Sequence, residues 1–413
     1  MKVRLFIVLT IAIALFFPIT IYLASSHSLK SEGQQNEARE PAISSNSEDS
    51  TKEPQIEETK VQNYGLPKIQ FYKILTGRIE GHKDIQLQLT RTDDEVGGFY
   101  SEAPVYLEQD YDVYMIGAID PNEQVTIIEY DHHGKPTGTF KGRFFINELA
   151  HGAITQFKGD WLSAKDEKSL PFFFSEQQFS FSGQTRLITK ERKVENIDHH
   201  YWVYAQYPLL ESSGHSTASR FNRTISDLVN KTIKKYIAGE EDNIKRLGKD
   251  EDDFKPGGRP NSLDMNYQIT AATDEVISVL LTQDMYAGGA HGYDKSMVLN
   301  FDLRSGNPIK LTGIFQSHAD YLKVISKYAS HYLSESLTKQ GYSHADGDWL
   351  HLKNEDLKSW NLTPLGLLLT FDSYKVAAYS AGPQQVLIRY DKLKDTLNLA
   401  PDRLPKLITQ QIR

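Results

Sequence analysis

The sequence predicts an α+β protein in which an N-terminal membrane helix precedes an all-β unit and then a mixed unit with two main helices packed on an antiparallel sheet. Three observations point there. Leu5 to Ala24 is a run without a charge; apolar residues alternate at period two through residues 66–180; helix-spaced apolar stripes alternate with strands after residue 198. A chain of 413 residues exceeds one ordinary core, so two folded domains are expected. Apolar residues at 39% and aromatics at 11% can fill such cores. The absence of cysteine excludes disulfides, thiolate metal sites and a cysteine nucleophile. A net charge of −8 argues against a general nucleic-acid binder. Residues 201–413 carry as many basic as acidic side chains, so the acidity lies in the preceding half and favours cationic partners.

The first element is the stretch from Leu5 to Ala24, long enough as a helix to cross a hydrocarbon layer of about 30 Å. Lys2 and Arg4 precede it and place the N-terminus in the cytoplasm, with no room there for a domain. Two readings of residues 1–26 stand: an uncleaved signal anchor, or a signal peptide cut near Ala24-Ser25-Ser26. Either exports the remainder, to the outer side of the cell membrane or as a secreted or periplasmic protein. Residues 27–65 are polar and rich in Ser, Glu and Gln; they read as a disordered tether.

Residues 66–180 read as an antiparallel meander or small barrel. Strands are expected at Ile85–Leu89, Tyr111–Ile116, Val125–Glu129, Thr137–Phe144, Gly159–Leu162 and Phe172–Phe174. Turn signals separate the earlier ones at Gly97-Gly98, Asp120–Glu123 and Asp131–Lys135. The series Gly98-Phe99-Tyr100, Gly117, Glu129-Tyr130-Asp131, Gly134, Thr137-Gly138, Phe140, Gly142 and Trp161 loosely resembles small β-rich modules of bacterial exported proteins. That pattern is made of turn and core residues and implies a fold, with no chemistry.

Residues 198–413 read as the α+β unit. Tyr201–Pro208 is an opening strand stopped by proline. Phe221, Ile225, Leu228, Val229, Ile233 and Ile237 mark a helix from Ser216 to about Ile237, followed by an exposed loop over Asp242–Pro260. Strands follow at Leu263–Ala271, Val276–Asp284 and Ser296–Leu303, a second helix at Asp320–Leu337, strands at Gly366–Phe371 and Gln385–Tyr390, and a short C-terminal helix.

Two clusters in this unit are sharper than composition. One is Tyr286-Ala287-Gly288-Gly289-Ala290-His291-Gly292, followed by Leu299–Gly306 and Leu311–Phe315. The other is Phe371-Asp372-Ser373-Tyr374, Tyr379 and Gly382-Pro383, followed by Val386–Asp391. Over about 200 residues they resemble the extracytoplasmic domain shared by lysozyme-sensing anti-sigma-V factors and a group of peptidoglycan N-acetylglucosamine deacetylases. Ala378 stands where that family commonly has proline, and Ser380 where it commonly has alanine. The resemblance implies a binding domain for lysozyme or cell-wall glycan. The sigma-release segment and a separate catalytic domain have no counterpart in the sequence, so neither activity is carried over.

The candidate partner-binding residues are Tyr286, Gly288, Gly289, His291, Tyr374 and Tyr379. Glycines permit close backbone approach and can present Tyr286 and His291 to a partner; they equally suit a plain strand–turn–strand connection. Tyr374 and Tyr379 are either interface anchors or core residues. His291 with Asp284, Asp294 and Asp302 has no known metal-ligand spacing, and adjacent histidines at His132-His133 and His199-His200 point to opposite faces of a strand. Ser213-Gly214-His215-Ser216 lacks a nucleophile elbow and reads as a helix cap at Ser216. No catalytic set, metal or cofactor is assigned. The expectation is a non-enzymatic, membrane-tethered binding protein of the cell envelope. The alternatives are an envelope hydrolase or esterase with an unrecognised site, and a purely structural envelope module.

Overall fold

The computed structural model describes residues 70–409, apart from the segments 103–112, 150–151, 197–200, 213–215, 248–259, 289–290, 343–351 and 399–404 and the single positions 132, 178, 180, 183, 184, 340 and 353. The expected membrane run (residues 5–24) and tether (27–65) lie outside the described residues, as do Gly289 and the His199-His200 pair. Among the described residues, no helix is long and apolar enough to cross a membrane.

Eight antiparallel strands close into a barrel in sequence order: β1 (Gln70–Ile79), β2 (Ile85–Thr92), β3 (Glu95–Glu102), β4 (Val113–Ile119), β5 (Val125–Tyr130), β6 (Pro136–Leu149), β7 (Gly152–Ser163) and β8 (Ser169–Glu176). Alternating residues fill its interior, among them Leu75, Leu87, Leu89, Val125, Ile127, Phe140, Phe157 and Phe174. Pairing of β1 with β8 leaves no open edge. Gly97-Gly98, expected as a turn, instead lies inside β3. A Cβ at Gly98 would sit 1.8 Å from the Gln88 carbonyl oxygen, so the glycine lets neighbouring strands approach where the barrel bends. The turn expected at Asp131–Lys135 is present, with Asp131 Oδ1 accepting from the amides of His133 and Lys135.

Among the described residues the barrel buries the Glu129 carboxylate. Glu129 is 1% exposed and accepts a hydrogen bond from the Tyr100 hydroxyl at 2.6 Å. Burial raises its carboxyl above the ordinary 4.5, outweighing the hydrogen bond that lowers it. The folded state therefore favours the neutral acid, and that contribution is lost as pH rises from the ordinary value through the raised one. Glu129→Gln keeps an acceptor without the charge. It is expected to be as stable as the parent near neutral pH or more so, with a flatter stability–pH curve. Glu129→Ala removes the acceptor of the Tyr100 hydroxyl and empties a buried site, and is expected to cost about 1–3 kcal/mol in urea unfolding.

A six-stranded sheet follows, ordered β14-β13-β12-β11-β10-β9. Its strands are β9 (Arg186–Asn196), β10 (Tyr201–Glu211), β11 (Asn261–Ala272), β12 (Val276–Tyr286), β13 (Tyr293–Asp302) and β14 (Asn307–Pro308). The sheet is mixed, which corrects the antiparallel expectation: β10 and β11 run parallel because helix α1 (Ser216–Leu247) crosses between them. The helix continues past the expected end at Ile237 because its last turns stay attached. Ile244 packs against the core, and buried Glu240 accepts from Asn261 Nδ2 at 2.8 Å. β9 escaped the sequence reading because Lys190-Glu191-Arg192-Lys193 carries charge where a strand signal needs apolar alternation. On one face of the sheet α1 buries Phe221, Ile225, Val229 and Ile233 against Val203, Leu263, Ile277, Val279 and Phe301.

The other helix does not share that sheet, a second correction. Helix α2 (Tyr321–Lys339) packs Ile325, Ala329, Leu333 and Leu337 against a three-stranded antiparallel sheet of β15 (Trp360–Leu362), β16 (Gly366–Phe371) and β17 (Gln384–Arg389). Two short helices end the chain's described part, α3 (Tyr390–Leu393) and α4 (Lys406–Thr409). β15 is sewn to the six-stranded sheet by buried polar groups. Asn300 Nδ2 donates to the Trp360 carbonyl at 2.7 Å, while its Oδ1 accepts from Ser278 Oγ and the Leu362 amide at 2.7 and 3.0 Å.

Candidate functional site

Two segments meet at the end of the six-stranded sheet: the β12–β13 turn, and residues 372–382 between β16 and β17. Two reciprocal contacts clamp them. Asp372 Oδ1 accepts the Ser296 amide at 2.8 Å, and Asp294 Oδ2 accepts the Ser373 amide at 3.0 Å. The clamp fixes the tight turn that carries Tyr374. That residue holds a left-handed backbone (φ 67°) and is 61% exposed. A non-glycine residue with φ > 0 is strained by roughly 1–2 kcal/mol, and such strain collects at functional positions.

The exposed rings continue inward. Tyr374 and Tyr379 have centroids 5.3 Å apart, and Tyr379 stacks on His291 at 4.0 Å and 22°. His291 Nδ1 lies 2.9 Å from the Gly292 carbonyl oxygen, which orients the ring as a donor. Three of the expected binding residues, His291, Tyr374 and Tyr379, therefore form one platform from positions 88 residues apart at the extremes. Tyr286 ends β12 opposite Ser262, and Gly288 (φ 84°) makes the turn between Tyr286 and His291. Asp302, once grouped with His291, sits at the far end of β13 and holds Arg304.

Beside the platform lies a cleft of about 560 Å³ between β13 and the β16 end. Tyr293, Lys295, Asp356, Lys358, Asp372 and Tyr374 are in its wall. Lys375 Nζ pairs with Asp356 Oδ1 at 2.7 Å. Burial raises the Asp372 carboxyl, and the neighbouring Asp294 charge adds to the rise, against the hydrogen bond from Ser296 that lowers it. The Tyr379 hydroxyl is raised too, first by burial and then by Asp294 and Asp284. Asp264, Asp284 and Asp294 are successive cross-strand partners, so their carboxylates lie in one row over the sheet. Among the described residues no group of three or more His, Asp or Glu could hold a metal ion.

The cleft residues Tyr293, Lys295, Asp356 and Lys358 were not singled out in the sequence. Asp372 and Ser373 were legible only as neighbours of Tyr374 in the Phe371–Tyr374 motif. Nothing in the order of residues announces that Asp294 and Asp372 reach across to each other's segment.

Residues 194–294 match the family model described as Deacetylase PdaC, and residues 312–391 match one described as a protein of unknown function, DUF3298. A curated relative, the peptidoglycan-N-acetylmuramic acid deacetylase PdaC of Bacillus subtilis (strain 168), is 26% identical over 180 residues. The match takes in 42% of this chain and 37% of that protein. A solved DUF3298 family member from Bacteroides fragilis is 17% identical, covering 55% of this chain and 97% of its own, with a TM-score of 0.42. Another from Pseudomonas aeruginosa PAO1 is 15% identical, covering 54% and 96%, with a TM-score of 0.37. The second unit is thus related to deacetylase-associated sequences, as its motifs implied. The expectation that the chain is not an enzyme is corrected by the same matches: the curated relative is named as a deacetylase, and the matching model carries that description.

Proposed function

We propose that the chain is an exported protein of the bacterial cell envelope that works on peptidoglycan-type glycan, with deacylation of that glycan as its chemistry. The observation that carries this is Tyr374, exposed and held in a left-handed conformation at the rim of the cleft, with Tyr379 and His291 stacked behind it. A pyranose ring has an apolar face of C–H groups that packs on an aromatic ring, and its hydroxyls reach for polar groups at the ring's edge. The platform supplies the rings; Asp372, Lys295 and Lys358 supply the polar wall. The relative's name and the deacetylase-described model support the choice of glycan and of acyl transfer to water.

Asp372 is the group placed to act on water. As a carboxylate it takes a proton from a water attacking the acyl carbonyl, and returns it to the departing nitrogen or oxygen of the sugar. The products are a free carboxylic acid and an unmasked amine or hydroxyl. Its raised pKa makes it a stronger base than an ordinary aspartate, and sets activity to rise with pH through that raised value.

The test incubates the intact chain with acetylated chito-oligosaccharide and with isolated peptidoglycan, following binding and acetate release separately. Binding to both and measurable release are expected. Asp372→Asn should lower release about 100-fold or more while binding stays within about twofold. Absence of binding to either material defeats the glycan reading. Binding to lysozyme in its place would transfer the platform to a protein partner. Unchanged release in the Asp372→Asn protein removes that residue from the chemistry.

A further inference from the structure

The wall of the cleft contains an unused strand edge. Along β13, successive residues turn their backbone groups alternately toward β12 and away from it. Even-numbered residues turn away: the Ser296 amide is taken by Asp372, and the Asn300 carbonyl accepts from Ile309. Odd-numbered ones turn inward, as the Leu303 amide shows by reaching Glu275 of the β11–β12 connection. β14 pairs only with Phe301 and Asp302. Between the two occupied positions stands Val298, which pairs with Leu280 of β12 on its inner side and lines the cleft. Its amide and carbonyl both face outward, where no strand among the described residues pairs with them.

We infer that this edge takes an extended, carboxylate-bearing peptide, which bonds to the Val298 amide and carbonyl as one residue of an added strand. An edge residue offering a donor and an acceptor on one side is what strand addition requires. The neighbouring edge positions are already blocked by Asp372 and Ile309, which keeps the contact short and fixes its register. The charge of the wall selects the occupant. Lys375 is engaged with Asp356, and the Lys295 charge acts on Asp372, but the wall's three lysines, Lys295, Lys358 and Lys375, outnumber its two aspartates, Asp356 and Asp372, and Lys295 and Lys358 are exposed, so an incoming chain meets a surplus of positive charge. The inference shares Lys295 and Lys358 with the glycan reading but uses the backbone groups of Val298 and no ring of the platform, so the Val298→Pro variant separates the two.

The probe is a fluorescent hexapeptide of alternating valine and glutamate, with its valine–lysine counterpart, titrated into the intact chain. The acidic peptide is expected to bind at least about tenfold more tightly than the basic one. Val298→Pro deletes the outward amide and leaves pairing to β12 intact, a placement strand edges accept. It should weaken the acidic peptide about five- to tenfold. Lys358→Glu, an exposed change that does not threaten folding, should narrow or reverse the preference between the two peptides. Acetylated chito-oligosaccharide binding should be unchanged in the Val298→Pro variant, whose altered backbone amide the glycan reading does not use. Equal binding of the two peptides, or acidic-peptide binding indifferent to both substitutions, overturns the inference. Loss of oligosaccharide binding in the parent chain overturns the glycan reading alone.

Discussion

Replacing Tyr374 with glycine is expected to weaken glycan binding about thirtyfold while making the folded chain more stable than the alanine variant at the same position. The two effects have separate causes. The ring is the exposed end of the platform, and truncating an aromatic anchor of that kind typically costs about 2 kcal/mol of binding. The backbone at this position has φ 67°, which glycine adopts without the Cβ penalty and alanine does not. Tyr374→Gly should therefore exceed Tyr374→Ala by about 1 kcal/mol in urea unfolding, with equal loss of binding. Equal stability of the two variants would show that the turn relaxes when the ring is gone. Full binding by either would remove Tyr374 from the site.

The second large effect is expected from Asn300, which is not in the wall of the cleft. It is 4% exposed, and Asn361 and Ser278 beside it are fully buried. Its amide joins β13 to β15 through the Trp360 carbonyl and the Leu362 amide, and it also accepts from Ser278. Thr270 and Asn361 extend the same seam to β11, with Thr270 Oγ1 2.8 Å from the Leu362 carbonyl oxygen and Asn361 Nδ2 donating to Ser278 Oγ at 3.0 Å. Asn300→Leu fills the space but strands the Trp360 carbonyl and takes away the acceptor of the Ser278 hydroxyl, while the Leu362 amide keeps Ser278 Oγ at 3.1 Å. A loss of about 3 kcal/mol or more follows, well above the average point mutation. Because the seam holds the three-stranded sheet in place, and that sheet ends in the Asp372–Tyr374 turn, glycan binding should fall as well. A loss below about 1 kcal/mol would mean that water or a rearranged partner replaces the amide, and that the two sheets are joined mainly by apolar contact.

These two residues also mark where sequence reasoning reaches and where it stops. Tyr374 stands out in the sequence as part of a family-like motif, five residues before Tyr379 and near Gly382-Pro383, and a motif of that kind is written in nearby residues. Its strained φ does not, since a left-handed tyrosine has no composition signal. Asn300 reads in sequence as a polar break near the end of a strand; its three partners come from β12 and β15, the latter some sixty residues on. The same limit hid β9, whose charged face is tolerated because it lies at the edge of a sheet whose pairing partner, β10, is nearly all buried.

Periodicity by itself determined most of the elements: six of the eight barrel strands, all but β1 and β3, helix α2 within two residues at either end, and β16 to the residue. These depend on which side chains recur on one face, a property of a short window of chain. Tertiary structure alone decided that eight strands close on themselves, that β10 and β11 run parallel, and that each long helix covers a sheet of its own. It also decided the clamp of Asp294 and Asp372, which converts two distant motifs into one platform beside a cleft. Closure, strand direction and cross-segment hydrogen bonds depend on which distant surfaces exclude water together, and no local window contains that information.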